Sequence, residues 1–313
     1  MKQVQVKAWG EKPECVGVPD PEPLPADSPL IQVRVLAAGL HQIVRARASG
    51  THYSAQGLPH IVGTDGVGTT VPEGKLVYFS AMTPTGGSFA DVVTVPKTAI
   101  TELPSSADPV QVAGLGNPVL ASWMGLATRV EHKLVPEAFT CLIIGATTLS
   151  GKAAISVARE FGAAKVIGAA RSVSKMEGLR LDGTVELNDA DATKTNWAAA
   201  LSADVVLDFL WGPQAASFVE ALKPGKTVQY VQLGTLGGRE TPFPGDVLRG
   251  KDLILRGSGP GAWSFPQLAQ ESPKMIGAIA TGKIQPYKFK EMRLDDIESA
   301  WQDKSGERIV FRP

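Results

Sequence analysis

The chain has 313 residues and a mass of 33.0 kDa, about twice a typical domain, which points to two domains. Lys plus Arg number 31 and Asp plus Glu number 31, so the formal charge is zero and the positive excess of a nucleic-acid or anionic-membrane surface is missing. A hydrophobic content of 43% supplies a core, while no run of about 18 apolar residues is present to span a bilayer. Cys15 and Cys141 are too few for a disulfide scaffold or a four-thiolate zinc lobe. The first residues, Met1 to Lys7, alternate like a strand and lack the apolar core of a signal peptide, so a reducing, cytoplasmic setting is the expectation.

The first hundred residues read as short strands and turns. Ile31, Val33 and Val35 alternate with Gln32 and Arg34. Leu76-Val77-Tyr78-Phe79 and the run from Phe89 to Val95 predict two more strands, with a turn at Pro84-Thr85-Gly86-Gly87 between them. Asp108-Pro109 supplies an N-cap and a first-turn proline for a helix through Val112 and Leu115, which Asn117-Pro118 is expected to interrupt.

Near residue 139 the pattern changes. Thr140-Cys141-Leu142-Ile143-Ile144 is a mostly apolar run, as expected of a strand covered on both faces. Ala154, Val157, Ala158 and Phe161 then form one helical stripe that Gly162 ends. Further strands are expected at Lys165 to Ala170, Thr184 to Leu187, Asp204 to Phe209, Thr227 to Gln232 and Asp252 to Arg256. Strand and helix alternating at this spacing specify an α/β fold with an open, doubly wound parallel sheet.

The loop Gly145-Ala146-Thr147-Thr148-Leu149-Ser150-Gly151 joins the first of these strands to its helix. In a dinucleotide fold such glycines allow a tight turn and bring backbone N–H groups to the pyrophosphate at the helix N-terminus. Gly145 and Gly151 fit that spacing; Thr148 stands where a glycine is usual, to bond a phosphate or to crowd it. The second strand ends in Arg171 and Ser172, with Lys175 close behind, and brings no carboxylate for a ribose 2′-hydroxyl. Charge-assisted donors suit a 2′-phosphate, so NADPH is the expected coenzyme; the alternative is a solvated strand end with ordinary surface cations.

In these segments the chain resembles the medium-chain dehydrogenase/reductase superfamily, in its zinc-independent quinone oxidoreductase and enoyl-reductase-like branch. The likeness runs through Val35 to His41, Gly63-Thr64-Asp65-Gly66-Val67-Gly68, Gly87 to Ala90, Asn117-Pro118, Ser122-Trp123, the Gly145 to Gly151 loop, Gly257-Ser258-Gly259, Ala300-Trp301 and Gly306 to Phe311. It implies a GroES-like, β-rich catalytic domain built from residues 1–117 and 257–313 around a Rossmann-type NADP(H)-binding domain at 118–256. It also implies a homodimer joined through the nucleotide-binding sheets.

Zinc-dependent members carry a Cys and a Gly-His-Glu where this chain has His41 and Gly63-Thr64-Asp65, so the family's ligand set is not kept. His41, His52, His60 and Asp65 lie close in sequence without a recognised ligand spacing, and no metal is expected.

By resemblance, His41 faces the nicotinamide and hydrogen-bonds substrate or donates a proton; a neutral ring satisfying a backbone group is the competing reading. Tyr53, in a loop bordering the cleft of relatives, is the second candidate donor, and a packed ring is its alternative. Asn117 and Trp123 are assigned to the substrate pocket, though Trp123 and Trp211 also suit simple packing. Arg45 and Arg47 read as surface cations. Leu210, Gln232, Gly234 and Ser258, which follow the later strands, are assigned to cofactor contacts.

The leading expectation is an NADPH-dependent enzyme that transfers hydride to a quinone or an α,β-unsaturated carbonyl. A pathway-specific enoyl reductase and a non-catalytic NADPH-binding sensor or structural protein are the alternatives.

Overall fold

The computed structural model describes residues 1–52, 54–82 and 87–313. It divides into two compact units, one formed by Met1–Asn117 with Ser272–Pro313 and one by Pro118–Glu271. The second unit thus runs past the expected close at residue 256.

The first unit opens with β1 (Lys2–Val6) and β2 (Glu14–Gly17), followed by the long strand β3 (Leu30–Gly39) and a short helix α1 (Gln42–Ala48). Strands β4 (His60–Ile61), β5 (Asp65–Val71), β6 (Leu76–Ser80), β7 (Val92–Pro96) and β8 (Ile100–Glu102) complete its N-terminal part. Strand β7 begins later than the expected Phe89, because the backbones of Phe89 and Ala90 pair with Val4, Val62 and Gln3 rather than with β3. Most of the predicted turn at residues 84–87 lies outside the described residues.

Helix α2 (Pro109–Glu131) starts where Asp108 accepts the Val110 N–H at 2.8 Å, as the N-cap reading requires. The expected break at Asn117-Pro118 does not occur: the helix continues through Pro118. Pro118 forgoes a bond to the Gly114 carbonyl at a cost of about 3 kcal/mol. Burial of Val112, Leu115, Val119 and Leu126 outweighs it at about 1.5–3 kcal/mol for each side chain.

The second unit carries β9 (Thr140–Ile144), α3 (Leu149–Glu160), β10 (Lys165–Ala170), β11 (Gly183–Glu186), β12 (Val205–Asp208), α4 (Gly212–Ala221), β13 (Val228–Gln232), α5 (Gly245–Arg249) and β14 (Leu253–Gly257). All six strands are parallel, in the order β11-β10-β9-β12-β13-β14. The order reverses direction between β9 and β12, which opens a crevice beyond their carboxyl ends. The central strands β9, after Thr140, and β12 are buried, as their apolar runs demand, whereas β14 lies on the edge and is mostly exposed.

The chain leaves this unit within α6 (Phe265–Ala280), then adds β15 (Lys290–Arg293), α7 (Ile297–Gln302) and β16 (Ile309–Arg312) to the first. Strand β16 pairs with β3, setting Phe311 beside Ala38, and Phe311 meets the Phe89 ring edge-on at 4.9 Å. Both chain ends therefore share one core. No helix among the described residues is long and apolar enough to cross a membrane.

Candidate functional site

A cavity of about 430 Å³ opens in the second unit at the carboxyl edge of its sheet. Loops after four strands line it: Gly145, Thr147 and Thr148 after β9, Ala170 and Arg171 after β10, Leu187 and Asp189 after β11, and Leu210 and Pro213 after β12. Leu236 and Gly237, after β13, add a fifth loop to the lining.

The turn that starts it is built on glycine chemistry. Gly145 has φ +93°, a conformation that L side chains rarely adopt. At Gly151, a Cβ would stand 2.2 Å from the Gly145 carbonyl oxygen, so only glycine lets α3 pack this closely on its own turn. Ala146 and Leu149 are buried behind the loop.

Thr148 neither crowds the cavity nor offers its hydroxyl to it. Its Oγ1 donates to the Gly145 carbonyl at 2.9 Å and accepts the Gly151 N–H at 3.0 Å, capping α3. The N–H groups of Leu149 and Ser150 meet no acceptor among the described residues, as the first donors of a helix do without an external partner. They are two aligned donors at the positive end of a twelve-residue helix.

At the far rim, Nη1 of Arg171 lies 3.4 Å from Oδ2 of Asp189, on a side chain that is 72% exposed. Ser172 shares a hydroxyl hydrogen bond with Ser174 and Lys175 is exposed on the following turn; neither lines the cavity. Asp189 is not legible from the end of the second strand. Its signal lies in pairing: β10 and β11 are parallel with Ala170 opposite Glu186, so residues just past each strand emerge together.

Leu210 is held by an unexpected residue. The buried carboxylate of Asp208 accepts the N–H groups of Leu210 at 2.8 Å and Trp211 at 3.0 Å, and the Tyr230 hydroxyl at 2.7 Å. Burial raises its pKa, and these three donors pull the other way. Trp211, with φ +61°, needs such a clamp to hold its left-handed backbone.

The other expected contacts are spent internally. The Gln232 amide donates to the Gly234 carbonyl, and the Gly234 N–H goes to the Asp208 carbonyl. The Ser258 hydroxyl donates to the Ala121 carbonyl and accepts from Trp263. Trp123 is buried, its ring meeting Phe161 edge-on at 4.9 Å and its N–H donating to Glu271 at 2.9 Å. Trp211 likewise packs, against Tyr230 and Phe243.

In the first unit, His41 is buried and its Nε2 lies 3.2 Å from the Ala113 carbonyl. A carbonyl only accepts, so the proton sits on Nε2, and desolvation lowers the ring's pKa below its ordinary 6.5. This geometry matches the neutral, backbone-satisfying reading and opposes proton donation from Nε2. Close by, the Asp65 carboxylate accepts Thr64 Oγ1 at 2.6 Å and the Tyr78 hydroxyl at 3.0 Å, a pairing the sequence does not suggest. Burial followed by the Asp65 charge holds the Tyr78 phenol well above its ordinary range.

Asn117 is half-buried in α2. Tyr53 lies outside the described residues. Arg45 is not a free surface cation: it bonds the carbonyls of Ala300 and Trp301 and lies over the Trp301 ring. Arg47 is buried as well, with Nη1 on the Gly63 carbonyl.

His52 is engaged with Ser54 and His60 packs beside Trp9, so the histidines do not converge. Among the described residues no three His, Cys, Asp or Glu side chains form a metal ligand set. Burial raises both thiols, Cys15 and Cys141, away from reactive thiolate.

No family model matches the chain. It is 33% identical, over the full length of both chains, to the "Probable NADPH-dependent quinone reductase tdiC" of Emericella nidulans. The chain belongs to the quinone oxidoreductase branch of the medium-chain dehydrogenase/reductase superfamily. Solved structures of that branch share its fold. A mycobacterial quinone oxidoreductase superposes with TM-score 0.83 at 18% identity, all of each chain covered. The quinone oxidoreductase of Thermus thermophilus, solved also with NADPH, gives 0.75 at 23%, again with all of each chain covered.

Proposed function

We propose that this protein is an NADPH-dependent quinone reductase. The observation that carries the reading is the cavity at the sheet's switch point, lined by the Gly145 turn and the Arg171 guanidinium, with two unpaired helix N–H donors, of Leu149 and Ser150, directly after the lining residue Thr148. Those groups suit a pyrophosphate and a 2′-phosphate respectively. The full-length likeness to a quinone reductase supplies the acceptor class.

When bound, NADPH supplies the hydride. The chain's own residues then have separate tasks. Leu149 and Ser150 would hold the pyrophosphate through their N–H groups, Arg171 would take the 2′-phosphate, and Leu210, fixed by Asp208, would form one wall. His41 keeps its Nε2 proton on the Ala113 carbonyl, so in this reading that nitrogen does not supply a proton. The test is loss of NADPH absorbance with a panel of quinones and enals. Rapid oxidation with quinones, faster than with NADH, is expected; tight NADPH binding without turnover on any acceptor would favour the non-catalytic alternative.

The same reading includes a homodimer formed along β14. That strand pairs only with β13 among the described residues, and Ile254 and Leu255 on it are 45% and 43% exposed. An open apolar edge favours addition of a second copy. Sedimentation is expected to give twice the chain mass, and a monomer at micromolar concentration would refute this part.

A further inference from the structure

The cavity rim carries one cation and one anion. Arg171 follows β10 and Asp189 follows β11, and the parallel register of these strands delivers both side chains to the same mouth. Their contact is long, 3.4 Å, and wet, with the two side chains 72% and 70% exposed. A pair of this kind adds little to fold stability. Asp189 has no other side-chain partner among the described residues. Nothing in the local packing therefore explains a carboxylate at this position, whereas the adjoining cavity does.

We propose that Asp189 is a coenzyme-specificity residue that works against the 2′-phosphate. The proposal rests on the reading that this cavity takes the adenosine end of NADPH. In the free protein the Asp189 carboxylate occupies the one guanidinium that lines the cavity among the described residues. An incoming 2′-phosphate must take that guanidinium away and then sit beside the displaced carboxylate, two anions sharing one cation.

A 2′-hydroxyl meets no such conflict, since it is neutral and can donate to the carboxylate. The Arg171–Asp189 pair sums to zero charge, and Lys175 does not line the cavity to offset it. The rim therefore separates NADPH from NADH less strongly than Arg171 would alone. The second strand argues for a 2′-phosphate; the third moderates that preference.

The test is a binding measurement on the full chain, by calorimetry, with NADPH, NADH, adenosine 2′,5′-bisphosphate and AMP titrated into wild type and Asp189→Asn. Asparagine keeps the size and removes the charge on an exposed side chain, so the fold is undisturbed. NADPH and the bisphosphate are expected to bind about three- to tenfold more tightly to the variant at low salt, the scale of one surface charge pair. That gain should shrink in about 0.5 M salt, where such a pair is screened. NADH and AMP should change less than about twofold, since neither carries the 2′-phosphate on which the charge acts.

Equal gains for all four ligands, or no gain for the two that carry a 2′-phosphate, would overturn the role of Asp189 while leaving the cofactor reading intact, because NADPH would still bind. A wild-type protein that binds neither coenzyme would remove both.

Discussion

The Tyr230 hydroxyl donates to Oδ2 of Asp208 at 2.7 Å, and both groups are buried at the base of the turn that brings Leu210 to the cavity. The same carboxylate gathers the N–H groups of Leu210 and Trp211, so one hydroxyl on β13 helps fix the strained turn after β12. Tyr230→Phe keeps the ring and its contacts with Trp211 and Phe218 but removes one donor from a buried acid. Urea unfolding should show a loss of about 1–3 kcal/mol. NADPH should also bind more weakly, because Leu210 loses part of its support. A variant as stable as wild type would mean that the hydroxyl is dispensable to the turn.

Thr148 tests how the glycine-poor loop is stabilised. Thr148→Ala removes the side-chain cap of α3 and should cost about 1 kcal/mol, with Thr148→Ser restoring most of it. Gly151→Ala acts differently, since its Cβ would collide with the Gly145 carbonyl and force the turn open. Coenzyme affinity should fall about tenfold or more in Gly151→Ala, where the helix N–H donors lose their alignment, and only slightly in Thr148→Ala. Equal losses in the two would show that Thr148 contacts the coenzyme after all.

The 2′-phosphate assignment separates Arg171 from Lys175. Arg171 lines the cavity and Lys175 does not. Arg171→Ala should weaken NADPH about tenfold or more, as loss of a charge-assisted contact does, and leave NADH nearly unchanged. Lys175→Ala should have a smaller effect that vanishes with added salt. Titration of both coenzymes into both variants checks this, and an equal loss of NADPH and NADH in Arg171→Ala would refute the assignment.

The parallel sheet is legible in the sequence because its signal is local. Unbroken apolar runs such as Cys141 to Ile144 read as strands buried on two faces, and Gly145 and Gly151 mark the turn that follows. The expected helix break at Pro118 fails because sequence shows the cost of a proline but not the burial of Val112, Leu115 and Val119 that offsets it. Site residues divide in the same way. Gly145, Thr147, Thr148, Arg171 and Leu210 follow strands directly and do line the cavity. Asp189 and the pairs Asp208–Tyr230 and Asp65–Tyr78 depend on which strands are neighbours, a fact that resides in pairing and register rather than in any single segment.

Acid sensitivity should arise in the first unit, at His60. Its ring is buried beside Trp9, Nε2 has no partner among the described residues, and desolvation, with the nearby Arg47 charge, lowers its pKa to about 4. The folded state therefore prefers neutral imidazole, while the unfolded chain takes up a proton near the ordinary 6.5. Between those values the unfolded state binds more protons, so stability rises with pH. The contribution is complete above about 6.5 and is lost as pH falls toward about 4. His41, lowered in the same direction by burial, adds to the loss. Urea midpoints measured from about pH 7.5 to 4, a range that spans both values, should fall steeply for wild type and less steeply for His60→Leu, which keeps the parts of His41 and His52. Parallel slopes for the two proteins would show that His60 is solvated or charged in the folded state.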